Sequence, residues 1–171
     1  MSITPSLNLL KVQAITSENF QRYGQVIWAI EDGKSYSLED AQLDLSQGIP
    51  RFYVMRLHNR GRTFHRITRH LSCTQCLGAM EGKEWLIAVA PPKNLDDPQA
   101  KPFIEEIEAF RIPGDCFIKL HVGTWHAGPY FDAECIDFYN LELSDTNIVD
   151  HHTCDLKRTY NASLHLSETI S

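Results

Sequence analysis

Residues 107–126 read IEAFRIPGDCFIKLHVGTWH. Residues 107–112 alternate, with Glu108, Phe110 and Ile112 on one side and Ile107, Ala109 and Arg111 on the other, as in a half-buried strand. Pro113-Gly114-Asp115 is a turn signal, and residues 116–122 (CFIKLHV) form a second strand. The flanks repeat this rhythm. Residues 84–90 (EWLIAVA) are apolar on both faces, as in a strand buried on both sides, and Pro91-Pro92 stops them before a polar loop at 94–102. Residues 25–30 and 52–58 are rich in β-formers, and 134–143 (ECIDFYNLEL) is the last strong strand. Thr16 or Ser17 caps a short helix through Tyr23, which Gly24 ends. Many short strands separated by turn signals predict a mainly β protein, a sandwich or barrel. From Ser144 onward the chain is polar and weakly patterned, and reads as a tail that wraps the body or packs on a partner. The expected organisation is a single domain over 1–171, with a barrel at about 9–143 and a C-terminal tail at 144–171.

With 171 residues, 43% apolar and 22% charged, the chain can bury a real core and enclose a site. A net charge of −6 argues against a general nucleic-acid or anionic-membrane binder. No apolar run is long enough to cross a bilayer, and no secretory signal is read at the start. Five cysteines, an odd number, point to free thiols in a reducing cytoplasm.

Charge is uneven along the chain. Residues 51–80 contain no Asp or Glu but six arginines, Arg51, Arg56, Arg60, Arg62, Arg66 and Arg69. One reading is an edge strand and loop paired with acids from elsewhere. The other is an arginine that clamps a small carboxylate, because a guanidinium fork matches a carboxylate bidentately. Phosphate-cradling glycine loops and the Gly-x-Ser-x-Gly elbow are absent. Cys73-Thr-Gln-Cys76 has knuckle spacing but no second pair to complete a zinc site, and reads as buried thiols. His151-His152-Thr-Cys154 reads as a solvated pair in a polar tail.

Two separated segments look like halves of one site: His70-(x4)-Gln75-(x6)-Gly82, and Gly114-(x6)-His121-Val-Gly123-Thr-Trp125-His126. Their spacing and order resemble the two motifs of a cupin, a double-stranded β-helix or jelly-roll barrel. Thr68 stands where the first motif histidine would be, and Gln75 where a Glu would be. The set His70, Gln75 and His126, with His121 near, is a poor fit to a redox-iron site, so oxygenase chemistry is disfavoured. If His121 points into the barrel, alternation sends Lys119 the same way, where it could hold a carboxylate or depress a neighbouring imidazole. Trp125 would pack into the wall and fix the turn.

The chain also resembles the ureidoglycolate lyase family, formerly called ureidoglycolate hydrolases. The resemblance rests on residues 9–27 (LLKVQAITSENFQRYGQVI), Arg69-His70-(x3)-Thr74-Gln75 with Met80, His121-(x3)-Trp125-His126, and Asp137-Phe138. It implies a homodimeric cupin with a short N-terminal helix that cleaves ureidoglycolate to glyoxylate and urea in allantoin breakdown. The reaction is a carbon–nitrogen lyase elimination by acid–base chemistry and needs no cofactor. The expected catalytic residues are His126, His70, His121 and Gln75. Arg69, Lys119, Arg51 and Trp125 are the expected substrate-binding residues. A weakly bound divalent metal on His70, Gln75 and His126 is optional. Two alternatives stand: a cupin lyase or isomerase for another small acid, and a non-catalytic cupin that binds a small carboxylic acid.

Overall fold

A computed structural model describes residues 4–168. Thirteen strands dominate it: β1 (Ser6–Ala14), β2 (Gly24–Trp28), β3 (Pro50–His58), β4 (Thr63–Phe64), β5 (Arg66–Arg69), β6 (Gln75–Ala79), β7 (Trp85–Ala90), β8 (Glu108–Ile112), β9 (Cys116–Leu120), β10 (Trp125–Tyr130), β11 (Cys135–Leu143), β12 (His152–Asp155) and β13 (Ala162–Ser167). The helices are single turns: α1 (Ser17–Phe20), α2 (Thr146–Val149) and α3 (Leu156–Tyr160). One sheet runs β12-β5-β10-β7-β8-β1-β13-β4, and the other runs β2-β9-β6-β11-β3. The two curl around a shared core as a cupin barrel.

The double-sided burial of β7 has a direct cause. Trp85, Ile87 and Val89 point between the two sheets, against Phe110, Ile118, Leu120 and Phe138. Leu86, Ala88 and Ala90 point the other way, into a second core with Trp125, Ala127, Cys154, Leu156, Leu164 and Leu166. That second core is closed by the C-terminal segment. β13 pairs in parallel with β1, and β12 pairs antiparallel with β5. The segment from Ser144 on therefore contributes two strands, β12 and β13, to the sheet rather than hanging from it as an appendage. The alternation over Ala162, Leu164 and Leu166 is short and was masked by polar neighbours.

The helix at residues 16–23 is shorter than the sequence suggests. Thr16 is its N-cap, with a reciprocal bond to Asn19, and the turn closes at Gln21. Phe20 and Tyr23 are both fully buried beside Phe110. Gly24 does not cap the helix. It opens β2, where a Cβ would collide with the Lys119 carbonyl of the paired strand β9. No helix among the described residues is long and apolar enough to cross a membrane.

Candidate active site

The two sequence segments meet at one end of the barrel. His70 follows β5, Gln75 opens β6, and His121 to Thr124 form the turn between β9 and β10. The Gly123 N–H donates to the His70 carbonyl at 2.7 Å, tying the halves together. Gly123 has a φ of 83°, and a Cβ there would run into Leu95. The turn is also anchored to the segment between α1 and β2, since the Thr124 hydroxyl donates to the Tyr23 carbonyl at 2.7 Å.

His70, Cys73, Gln75, Leu120, His121, Thr124 and His126 line one narrow cavity. The imidazoles of His70 and His126 lie 5.0 Å apart. Their tautomers follow from their partners. His70 Nδ1 sits 2.6 Å from the Asp150 carbonyl, and His126 Nδ1 sits 3.2 Å from the Thr124 carbonyl. A carbonyl oxygen only accepts, so each Nδ1 carries the hydrogen and each Nε2 keeps a lone pair. Burial lowers the basicity of both rings. It pushes His126 down to about 3, with the neighbouring His70 adding to the effect. Burial also lowers His70, against the opposing pull of the Asp150 carbonyl. His126 is half-buried: it forms part of the cavity wall and also borders an open pocket of about 370 Å3 on the surface.

His121 has the opposite tautomer. Its Nε2 faces the Gln21 carbonyl at 3.0 Å, so Nε2 carries the hydrogen and Nδ1 accepts from Lys119 Nζ at 3.0 Å. Both ring nitrogens are thus occupied, and burial lowers the basicity of both His121 and Lys119. Lys119 itself sits on the face of β9 opposite Ile118 and Leu120, which point into the core, so it reaches the site only through His121.

Gln75 sits at the end of a buried polar chain. Its Nε2 donates to Asn140 Oδ1 at 3.0 Å and to Glu142 Oε2 at 3.2 Å. Asn140 donates to the Tyr53 hydroxyl at 3.0 Å, and that hydroxyl donates to Glu142 Oε1 at 3.2 Å. Because both partners of Nε2 are acceptors, the amide has one orientation, and Oε1 is left buried without a partner. Asn140 and Glu142 were missed in the sequence reading, although the signal was present. They continue the face of β11 that Ile136 and Phe138 turn into the core, so polar residues stood on an apolar face.

Asp150 was also missed. Its carboxylate accepts from the Leu71 and Ser72 N–H groups at 2.7 and 2.8 Å, while its carbonyl holds His70. It fixes the turn that follows β5. His151 is exposed, as expected of the tail, but its ring stands 5.7 Å from that of His70 and lines the open pocket, while His152 is half-buried with Nε2 3.3 Å from the Asp150 carboxylate.

Three of the expected substrate-binding residues lie elsewhere. Arg69 and Trp125 occupy the face of their strands turned away from the cavity. There the Arg69 guanidinium stacks 4.7 Å from the indole and donates to the carbonyls of Lys93, Asn94 and Asp97. Arg51 lies over the Tyr53 ring at 3.7 Å and 3.9 Å from Glu142. Cys73 and Cys76 are buried free thiols, as are Cys116 and Cys154, and Cys135 is half-buried and free. No cluster of three or more His, Cys, Asp or Glu among the described residues is arranged to hold a metal. The set His70, Gln75 and His126 offers two imidazole lone pairs and an amide oxygen, all neutral, so it suits a weakly held divalent ion rather than a tight one.

A two-sheet β-barrel with paired imidazoles and an amide at one end defines a cupin built for a small polar ligand. The sequence profile described as ureidoglycolate lyase matches residues 7–161, and the chain belongs to that family. No curated protein matches the chain.

Proposed function

We propose that the protein cleaves ureidoglycolate to glyoxylate and urea by acid–base elimination. The observation that carries this reading is His126: a neutral imidazole whose Nδ1–H is held by a backbone carbonyl, and whose ring borders both the inner cavity and the open pocket. In the reaction the substrate hydroxyl gives its proton to His126 Nε2, and its oxygen becomes the carbonyl of glyoxylate. The C–N bond breaks with its electron pair going to the urea nitrogen, which takes the proton back from the imidazolium. An imidazolium destabilised by burial is a strong acid, suited to a poorly basic urea nitrogen. His70 and Gln75 Oε1 line the narrow inner cavity behind His126, where their lone pairs set the polarity next to the reacting ring, while His121 and Lys119 brace the turn. A divalent ion on His70, Gln75 and His126 would occupy the His126 Nε2 lone pair, so it would polarise the hydroxyl in place of proton transfer to that ring, and a chelator would remove it readily.

The test is purified protein incubated with ureidoglycolate, with glyoxylate and urea quantified against the spontaneous background. Formation of both in equal amounts supports the reading. Binding without turnover would replace it with a non-catalytic binder of a small acid.

We further propose a cytoplasmic homodimer. The five free thiols suit a reducing compartment. β3 is the edge of its sheet, and Phe52 and Val54 on it are exposed. Two copies pairing antiparallel along that edge would satisfy its backbone and cover both side chains about a two-fold axis. Light scattering that gives a mass of one chain at micromolar concentration would overturn the dimer.

A further inference from the structure

We propose that Arg60 and Arg66 form a carboxylate clamp in the open pocket, holding a small monocarboxylate with its neighbouring carbon at His126. The substrate's identity rests on the lyase reading above, whereas the class of ligand rests on the pocket itself. The argument begins with the acid-free stretch of six arginines, four of which are spent elsewhere. Arg56 forms a fork on Asp137, at 2.8 and 2.9 Å. Arg62 grips Asp132 and Glu168. Arg51 lies on Tyr53 beside Glu142, and Arg69 is consumed by loop carbonyls.

Arg60 and Arg66 make no ion pair with any described residue, and both line the pocket that His126 borders. Among the described residues no Asp or Glu lines that pocket, while His65 and His151 add to its donors. Arg60 is already oriented: its guanidinium stands 5.2 Å over the Tyr130 ring, and Nη2 donates to the Pro129 carbonyl at 3.4 Å. The nearest acid in register with Arg66 is Asp155, on the paired strand β12. Its Oδ1 accepts from the Lys157 and Arg158 N–H groups at the start of α3, and the carboxylate feels the charge of Arg66 without forming an ion pair within 4 Å. Two guanidinium groups without a direct ion pair, lining a pocket beside a neutral imidazole, attract an anion and hold a planar carboxylate by its two oxygens. The pocket is also roomier than the narrow inner cavity, so the body of the ligand lies there and only its reacting carbon reaches His126.

The experiment is calorimetric titration of glyoxylate, and separately of urea, into wild-type protein and into the variants Arg60→Gln, Arg66→Gln, the double variant, and Arg56→Gln as a control. Thermal melts confirm that each variant is folded, and Arg66→Lys, which keeps the charge without the fork, serves as a second probe of that position. We expect the glyoxylate Kd to rise about tenfold or more in each clamp variant, to rise less in Arg66→Lys, and to stay unchanged in Arg56→Gln. Urea binding should not change. Wild-type protein that fails to bind glyoxylate at tens of millimolar, or a double variant that binds it as wild type does, overturns the clamp. The two readings separate cleanly. Arginine-dependent glyoxylate binding without ureidoglycolate cleavage keeps the clamp and removes the lyase. Cleavage with unchanged KM and glyoxylate affinity in the double variant removes the clamp and keeps the lyase.

Discussion

Acidification should unfold this protein through its site histidines, and His126 gives the size of the effect. Its folded basicity is held near 3 by burial and by His70, against about 6.5 in the unfolded chain. Below pH 6.5 the unfolded state therefore binds a proton that the folded state refuses. Stability is fully present above the unfolded value and is lost as pH falls toward 3, at up to about 1.4 kcal/mol per pH unit. Between pH 7 and pH 5 the linkage relation gives a loss of about 2 kcal/mol from this one residue. That figure is insensitive to the folded value, because at pH 5 the folded ring is neutral anyway. His70, lowered in the same direction, adds to the slope. The assay is urea unfolding at pH 7, 6 and 5 for wild type and His126→Gln, in a buffer of constant ionic strength. The variant should lose about 2 kcal/mol less than wild type across that range. Parallel pH dependences for the two proteins would show that His126 titrates normally in the folded state, and the account of a desolvated base would fall with it.

The other predictions concern single side chains. His126→Ala should lower turnover of ureidoglycolate about 100-fold or more while the thermal midpoint changes little, measured by glyoxylate release and a melt. A folded variant with full activity would remove His126 from the chemistry. Asp150→Asn puts an NH2 against one of two part-buried N–H donors and weakens the contact with His152, so it loosens the turn after β5 while the backbone carbonyl that holds His70 remains. It should cost about 2 kcal/mol, or roughly 4–8 °C in Tm, and also lower kcat, and an unchanged melt would refute the role given to that carboxylate. Gln75→Leu strips a donor from Asn140 and Glu142 and should cost about 1–3 kcal/mol in chemical denaturation, whereas a neutral result would mean that the buried chain re-pairs without it.

Much of the barrel was legible because strand periodicity is local. The alternation of residues 107–112 and 134–143, the double-sided run at 84–90 and the turn at Pro113-Gly114 each depend on near neighbours alone, and each appears as a strand or turn within two residues of its expected place. The strands β4, β5, β6, β10, β12 and β13 escaped notice, since two to six residues carry little period, and the nine-residue β1 was not read as a strand either. His70, Gln75, His121 and His126 were legible as a group because two spaced motifs bracket a pair of strands.

What the amino-acid order alone determined was a β-rich chain with two half-sites and an excess of arginine in one stretch. Tertiary structure decided which of those groups are available for chemistry. Arg56 is neutralised by Asp137, 81 residues away, and Arg62 by Asp132 and Glu168, while Arg60 and Arg66 meet no such partner among the described residues. The tautomers of His70, His121 and His126 depend on carbonyls of Asp150, Gln21 and Thr124, and His151 joins the pocket only because β12 docks on β5. The physical reason is common to all of these. Charge, basicity and hydrogen-bond direction are set by whatever lies within a few ångströms, and in a barrel closed by pairing distant strands those neighbours come from across the whole chain.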